Sequence, residues 1–221
     1  MSHEGYSQAY LKESAEISEK LLEQTKAISR VVDVLFDAWK KGKWVFVIGN
    51  GGSAGTATHF VGDLIKTTIE HPHERGLRAI ALADNIPMIS AAVNDWGWHE
   101  AYTGILNTYW SKGSIVIAFS VHGGAGKDKA GAWSQNLLKA LQFAKDNDGT
   151  AIGISGFDGG AMKDIADVSV VVPAHSTPLV ESYHVVLFHL ITFRLKELIQ
   201  NASARKQKKG KKKGVRVGRE Q

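Results

Sequence analysis

Short apolar runs alternate along this chain with longer segments whose apolar positions recur at helical spacing. The runs are Trp44–Ile48, Leu77–Leu82, Ser114–Phe119, Thr150–Ile154 and Val168–Val172. Between them lie helix-compatible stretches at Ala54–Lys66, Ile86–Thr108, Trp133–Asp146 and Gly160–Ala166, and a last helix is expected from about Leu179 to Asn201. Strands that alternate with helices predict a parallel sheet covered on both faces. The segment before the first strand, Tyr6 to Lys41, reads as helix, with Leu11, Ile17, Leu21, Leu22, Ile28, Val32, Leu35 and Phe36 at broadly helical intervals and Gly42 as its stop. Its apolar positions exceed a single stripe, which predicts that it builds an oligomer. No internal repeat is evident.

The first run ends in Gly49-Asn50-Gly51-Gly52-Ser53-Ala54. Strand, glycine turn and helix together form an anion cradle. Glycines let backbone approach a ligand closely, while the helix start offers unpaired N–H groups and the positive end of its dipole. Asn50 and Ser53 add side-chain donors, and the expected guest is a phosphate on a small molecule. The spacing is not that of a nucleoside triphosphate loop. Gly49-x-Gly51 begins like a dinucleotide fingerprint, but the third glycine would fall at Ala54 and no acidic residue closes a second strand, so no nucleotide cofactor is expected. A second polar, glycine-rich turn, Ser120-Val121-His122-Gly123-Gly124, follows the third run. In open parallel sheets ligands bind beyond the carboxyl ends of the strands, where the connection order reverses, so the two turns can surround one phosphate.

The 221 residues, 43% of them hydrophobic, suit one globular domain. With no run of ~18 apolar residues and no basic-then-apolar start, neither a membrane span nor a secretory signal is expected, and the cytoplasm is the expected location. The absence of cysteine excludes disulfides and thiolate chemistry. Any metal must be held by His, Asp and Glu. The net charge of +5 belongs to the end of the chain: residues 205–221 hold nine Lys or Arg and one Glu, leaving residues 1–204 with 18 basic and 21 acidic side chains, a net −3. The composition of this tail predicts disorder and permits a weak contact with nucleic acid or another polyanion, or a merely solubilising role.

Several of these segments resemble the sugar isomerase (SIS) domain family, and within it the phosphoheptose isomerases. The likeness covers roughly Glu13 to Glu197. It is strongest over GNGGSAGTATHFVGDL, Gly49 to Leu64, where Ser53, His59 and Asp63 fit the family's serine, histidine and carboxylate spacing. Further matches are Ala92-Val93-Asn94-Asp95-Trp96-Gly97-Trp98, Gly153 to Gly160 with Ile165-Ala166-Asp167, and the pair His184 and His189. The resemblance implies a three-layer α/β sandwich with a five-stranded parallel sheet of flavodoxin-like type, a single domain over 1–204 (helix 6–41, core 43–200). It also implies a homotetramer with active sites between subunits. The implied reaction is aldose–ketose isomerisation of a phosphorylated sugar, most simply sedoheptulose 7-phosphate to a heptose 7-phosphate, with zinc as an associated ion. A non-catalytic sugar-phosphate sensor, or an adaptor of a DNA-associated partner, is the alternative.

The chain departs from the family's pattern in the loop after the third strand, normally a serine-rich phosphate holder. Ser120 fits its first serine, but His122 stands at the second. An insertion from about Gly124 to Trp133, containing Lys127 and Lys129, then precedes Ser134-Gln135-Asn136, which fits the end of the motif. Asp63 replaces the family's usual Glu, and Glu181 replaces a Gln.

Moving a proton between adjacent sugar carbons through an enediol needs a base at carbon, an acid near the carbonyl oxygen, and a stabiliser of negative charge. His59 and Asp63, four apart on a helix, share a face and suit either a metal or a base with an orienting partner. Glu181 and His184 are three apart, whereas Glu181 and His189 differ by about 80° around a helix and converge only if Glu181 lies at or before the helix start. The expected catalytic residues are Asp63, His189 and Glu181, and the expected zinc ligands are His59, Asp63, Glu181 and His189. Substrate is expected at Asn50, Gly51, Gly52, Ser53, Asn94, Asp95, Ser120, His122 and Ser134, with Trp96 and Trp98 as either a wall for the sugar or core. His122 can add charge against phosphate when protonated, or shuttle protons when neutral.

Overall fold

The computed structural model describes residues 1–124 and 133–217, with side chains as far as residue 204 apart from the gap. Five strands, β1 (Trp44–Gly49), β2 (Arg78–Ala81), β3 (Ile115–Ser120), β4 (Thr150–Ser155) and β5 (Val168–Val171), form one sheet in the order β2-β1-β3-β4-β5. Every pairing is parallel, and Gly49 at the end of β1 stands beside Phe119 of β3. The chain lays β2 on one side of β1 and then β3 on the other, so the connection order reverses between β1 and β3.

Alternate strand residues point to opposite faces and feed two separate cores. Val45, Val47, Ile117, Phe119, Ile152 and Ile154 join a core shared with α1 (His3–Leu21), α2 (Thr25–Lys41), α3 (Gly52–Gly62) and α8 (Thr177–Val217). Phe46, Ile48, Val116, Ala118 and Ala151 pack on the other face, against α4 (Ile86–Trp96), α5 (Ala101–Tyr109), α6 (Gln135–Asp146) and α7 (Gly160–Ile165). The three-layer sandwich anticipated from the sequence is therefore present. Burial on both faces explains why β1, β3 and β4 read as continuous apolar runs instead of alternating ones.

Several boundaries differ from the sequence reading. The first helix breaks into α1 and α2 around a 3₁₀ turn, Leu22–Gln24. At the break the Gln24 side chain meets the edge strand: its amide donates to the Val171 carbonyl, and the Val171 N–H donates back to Gln24 Oε1 at 2.8 Å. Val171, the last residue of the β5 edge, thereby has both backbone groups paired without a further strand. The segment Ile86–Thr108 divides at Gly97, whose φ of +82° a helix cannot hold. The helix after β1 starts at Gly52 and ends in a π turn, Asp63–Thr67. The last helix extends to Val217 instead of stopping near Asn201. The side chains of residues 205–217, residues 218–221, and residues 125–132, which include Lys127 and Lys129, lie outside the described residues.

Candidate active site

At the β1–β3 reversal, the chain leaving Gly49 turns through Gly51, which has φ +54° and ψ −125°, a backbone state that side chains strongly disfavour. Two bonds brace this turn from behind. The buried Tyr102 hydroxyl donates to the Gly49 carbonyl at 2.7 Å, and burial pushes the phenol's pKa up to about 12 despite that bond. Asn50 and the fully buried Asn136, at the start of α6, exchange side-chain amide hydrogen bonds. The expectation of unpaired N–H groups at the helix start narrows to those of Gly51 and Gly52, because the next three are used. The Ser53 N–H donates to the Asn50 carbonyl, and the Ala54 and Gly55 N–H groups donate to the Gly51 carbonyl. The polar side chains around the turn supply the remaining donors.

Those side chains converge. A cleft of about 170 Å³ is lined by Asn50 and Ser53 from the first turn, Ser120 and His122 from the second, Ser134 before α6, and Glu181 on α8. Phe119, Trp133 and Leu137 supply its apolar part. The Ser120 hydroxyl accepts the Gly123 N–H at 3.1 Å and shapes the second turn. His122 packs on Phe157 with ring centroids 4.2 Å apart, and its Nδ1 is buried without a hydrogen-bond partner. Glu181 reaches over Gly52 so closely that a Cβ there would stand 2.6 Å from its Oε1, so any larger residue at 52 displaces the Glu181 carboxylate.

A second group lies about two turns further along the helices that carry Ser53 and Glu181, where α3 runs along α8. His59, Asp63 and His189 present ligand atoms within 4.8 Å of one another. The Asp63 carboxylate is 3.5 Å from His189 Nε2, and its other oxygen accepts the Thr67 hydroxyl at 2.9 Å. The π turn that begins at Asp63 places Thr67 in that role, and such turns often occur at functional sites. The rings of His59 and His189 meet edge to face, and both contact Phe188. Two imidazoles, a carboxylate and a hydroxyl fixing that carboxylate form a donor set suited to zinc with an open position. Glu181 is not a member of this group. Two turns of α8 separate it from His189, and its carboxylate lines the cleft instead.

Other residues anticipated from sequence lie elsewhere. Asn94 and Asp95 are exposed at the end of α4, where the Asn94 amide donates to the Asp95 carboxylate at 2.8 Å; neither lines the cleft. Trp96 and Trp98 are exposed as well, with the Trp96 ring laid over Gly104. His184 is fully buried beside Phe119, and burial pushes its pKa down to about 4 despite a smaller upward effect from the Ser155 backbone. Sequence reasoning assigned no site role to Asn136, Tyr102 or Trp133. A buried-amide requirement at Asn136 leaves no local signal, because its partner is 86 residues away.

An open parallel α/β sheet with a polar cleft at its switch point, and a carboxylate–histidine cluster further along two of the helices that line it, defines the class of domain. The SIS domain family profile matches residues 9–156. The chain is 38% identical over 169 residues to the lincomycin biosynthesis protein LmbN of Streptomyces lincolnensis, covering 75% of this chain and 60% of that protein. It is 32% identical over 175 residues to a phosphoheptose isomerase of Helicobacter hepaticus, covering 79% and 83%. The solved phosphoheptose isomerase of Francisella tularensis shares the fold, with a TM-score of 0.79 at 21% identity over 89% of this chain and all of that one. The chain belongs to the SIS domain family, and within it to the phosphoheptose isomerase-like proteins.

Proposed function

We propose that this chain is a phosphosugar isomerase that interconverts a ketose phosphate and an aldose phosphate, with sedoheptulose 7-phosphate and a heptose 7-phosphate as the pair. The observation that carries this reading is that α3 and α8 contribute both to the hydroxyl- and amide-lined cleft, through Ser53 and Glu181, and to the ionisable cluster of His59, Asp63 and His189. Ser53, Ser120 and Ser134 hold the phosphate, aided by the Asn50 amide hydrogen not given to Asn136. In the metal-free site Asp63, 3.5 Å from His189, carries the proton between the two carbons of the enediol, while Glu181 orients the sugar within the cleft. His189 exchanges a proton with the carbonyl oxygen in that form. In the alternative, zinc-bound form His59, Asp63 and His189 would hold the ion, which would supply positive charge at the carbonyl oxygen. Neither Asn94 nor Asp95 has a role within a single subunit in this reading.

The active form in this reading is a homo-oligomer, a tetramer, with sites between subunits. Its support is an apolar stripe on α8, Val186, Leu190 and Phe193, exposed by 51, 48 and 55% and flanking His189. A cytoplasmic location accords with the finding that no helix among the described residues is long and apolar enough to cross a membrane. The basic stretch 205–221 remains a candidate for weak polyanion contact.

A non-catalytic sugar-phosphate sensor draws support from His122 in the second turn and from the basic tail. The carboxylates and histidines around the cleft favour the enzyme. NMR of the protein mixed with sedoheptulose 7-phosphate, with chelator or with added zinc, separates the two. New aldose signals that disappear in Asp63→Asn and His189→Ala are expected. Binding without conversion in either condition overturns the enzyme reading.

A further inference from the structure

At the opposite end of the sheet, a face of α2 overhangs the amino-terminal ends of β1, β3 and β4. Arg30, Val34, Asp37 and Lys41 share that face, at intervals of four, three and four residues. The space beneath is about 470 Å³, larger than the candidate active-site cleft. Small-molecule sites span roughly 300–1,000 Å³. The groove has an apolar floor, which includes Val34 and Ile115, and a cationic rim. Arg30 and Lys41 come from α2, Lys43 from the turn into β1, and Lys112 from the turn into β3.

Two carboxylates only partly offset these four cations. Asp37 pairs with Lys40, which together with Lys41 and Arg30 holds its carboxyl below the usual range. Asp148 pairs with Lys112 at 3.1 Å. Among the described residues Arg30 and Lys41 form no direct ion pair, and Lys43 gives one hydrogen to the Lys112 carbonyl at 2.7 Å. The cations are strung out, because Arg30 and Lys41 lie about 16 Å apart along the helix axis. Lys41, Lys43 and Lys112 gather at one end of the row, where the Lys43 ammonium donates to the Lys112 carbonyl, so a di- or triphosphate, shorter than the whole row, has several cations within its length and a single phosphate does not.

We propose that this groove binds a small linear polyphosphate, a di- or triphosphate that is free or esterified, at a site separate from the isomerase cleft. The apolar floor accommodates the ester group, and the rim holds the phosphates. The groove opens onto the turns that lead into β1, β3 and β4, far from the residues assigned to the reaction.

Methyl-labelled full-length protein tests the assignment, since Val34 and Ile115 report on the groove and Leu137 on the cleft. Inorganic tripolyphosphate is expected to shift the Val34 and Ile115 signals saturably, while orthophosphate leaves them in place. The double variant Arg30→Glu, Lys41→Glu is expected to weaken the groove response at least tenfold without changing that of Leu137. Lys112→Glu provides an independent reversal on the other wall, should the double variant misfold. Unsaturable or absent shifts at Val34 and Ile115, or shifts that survive both reversals, would overturn the proposal.

Discussion

The side-chain amides of Asn50 and Asn136 donate to each other, at 3.0 Å and 2.8 Å, across the point where the sheet reverses its connection order. One residue belongs to the turn after β1 and the other to the first turn of α6, so the bonds tie together two walls of the cleft.

Removing the Asn136 amide breaks both bonds and leaves the half-buried Asn50 free to swing into the cleft. Asn136→Ala is expected to cost about 1–3 kcal/mol. For a chain of this length that corresponds to a fall in melting temperature of about 2–4 °C per kcal/mol. A rise in KM larger than any loss in kcat is expected with it, because the first turn loses its brace. Calorimetry and steady-state kinetics check both, and an unchanged melting temperature would contradict the clamp.

Gly52→Ala separates packing from chemistry. The added Cβ would meet Glu181 Oε1 at 2.6 Å, and the far end of a glutamate can move away at little cost to the fold. Alanine also favours a helix start more than glycine does. Turnover is therefore expected to fall at least tenfold while the melting temperature stays within a few degrees of the parent. A variant of full activity would remove Glu181 from the proposed role.

His184 predicts an acid-sensitive fold. Its folded pKa is lowered from 6.5 to about 4, so the unfolded chain binds the extra proton first as pH falls. The stability that neutral His184 contributes is complete above pH 6.5 and is lost as pH drops toward 4. Between pH 7.5 and pH 5 that loss amounts to about 2 kcal/mol. Denaturant unfolding of the parent and of His184→Leu at both pH values isolates it, since the variant should lose less stability by that amount. Equal losses would contradict it.

The stripe Val186, Leu190 and Phe193 is the proposed contact with another subunit. Leu190→Glu is expected to reduce the sedimentation coefficient toward that of a smaller assembly and to lower turnover. It should do so without the loss of helix signal that unfolding produces. A variant that sediments like the parent would move the interface elsewhere.

The strands were legible because each is a local signal. A few β-branched or aromatic residues, bounded by glycine or polar residues, mark β1 through β5 within a residue or two. The turn Gly49 to Ser53 was legible for a similar reason, since Gly51 at φ +54° and Gly49, where a Cβ would collide with the Ser53 carbonyl oxygen, both limit the residue type on the spot. Helix breaks were less legible. The interruption at Leu22–Gln24 depends on Val171, 147 residues from Gln24, and no local propensity encodes that contact.

The sequence by itself determined the alternation of strands and helices, the glycine turn, and the separation of a basic tail from an acidic body. Period, turn chemistry and charge act over a few residues and are written in order along the chain. Tertiary structure alone decided which candidates meet. It placed Glu181 in the cleft and His189 with His59 and Asp63, buried His184, and left Asn94 and Asp95 outside. Those outcomes depend on how α8 lies against α3 and the sheet, where distant side chains compete for the same space.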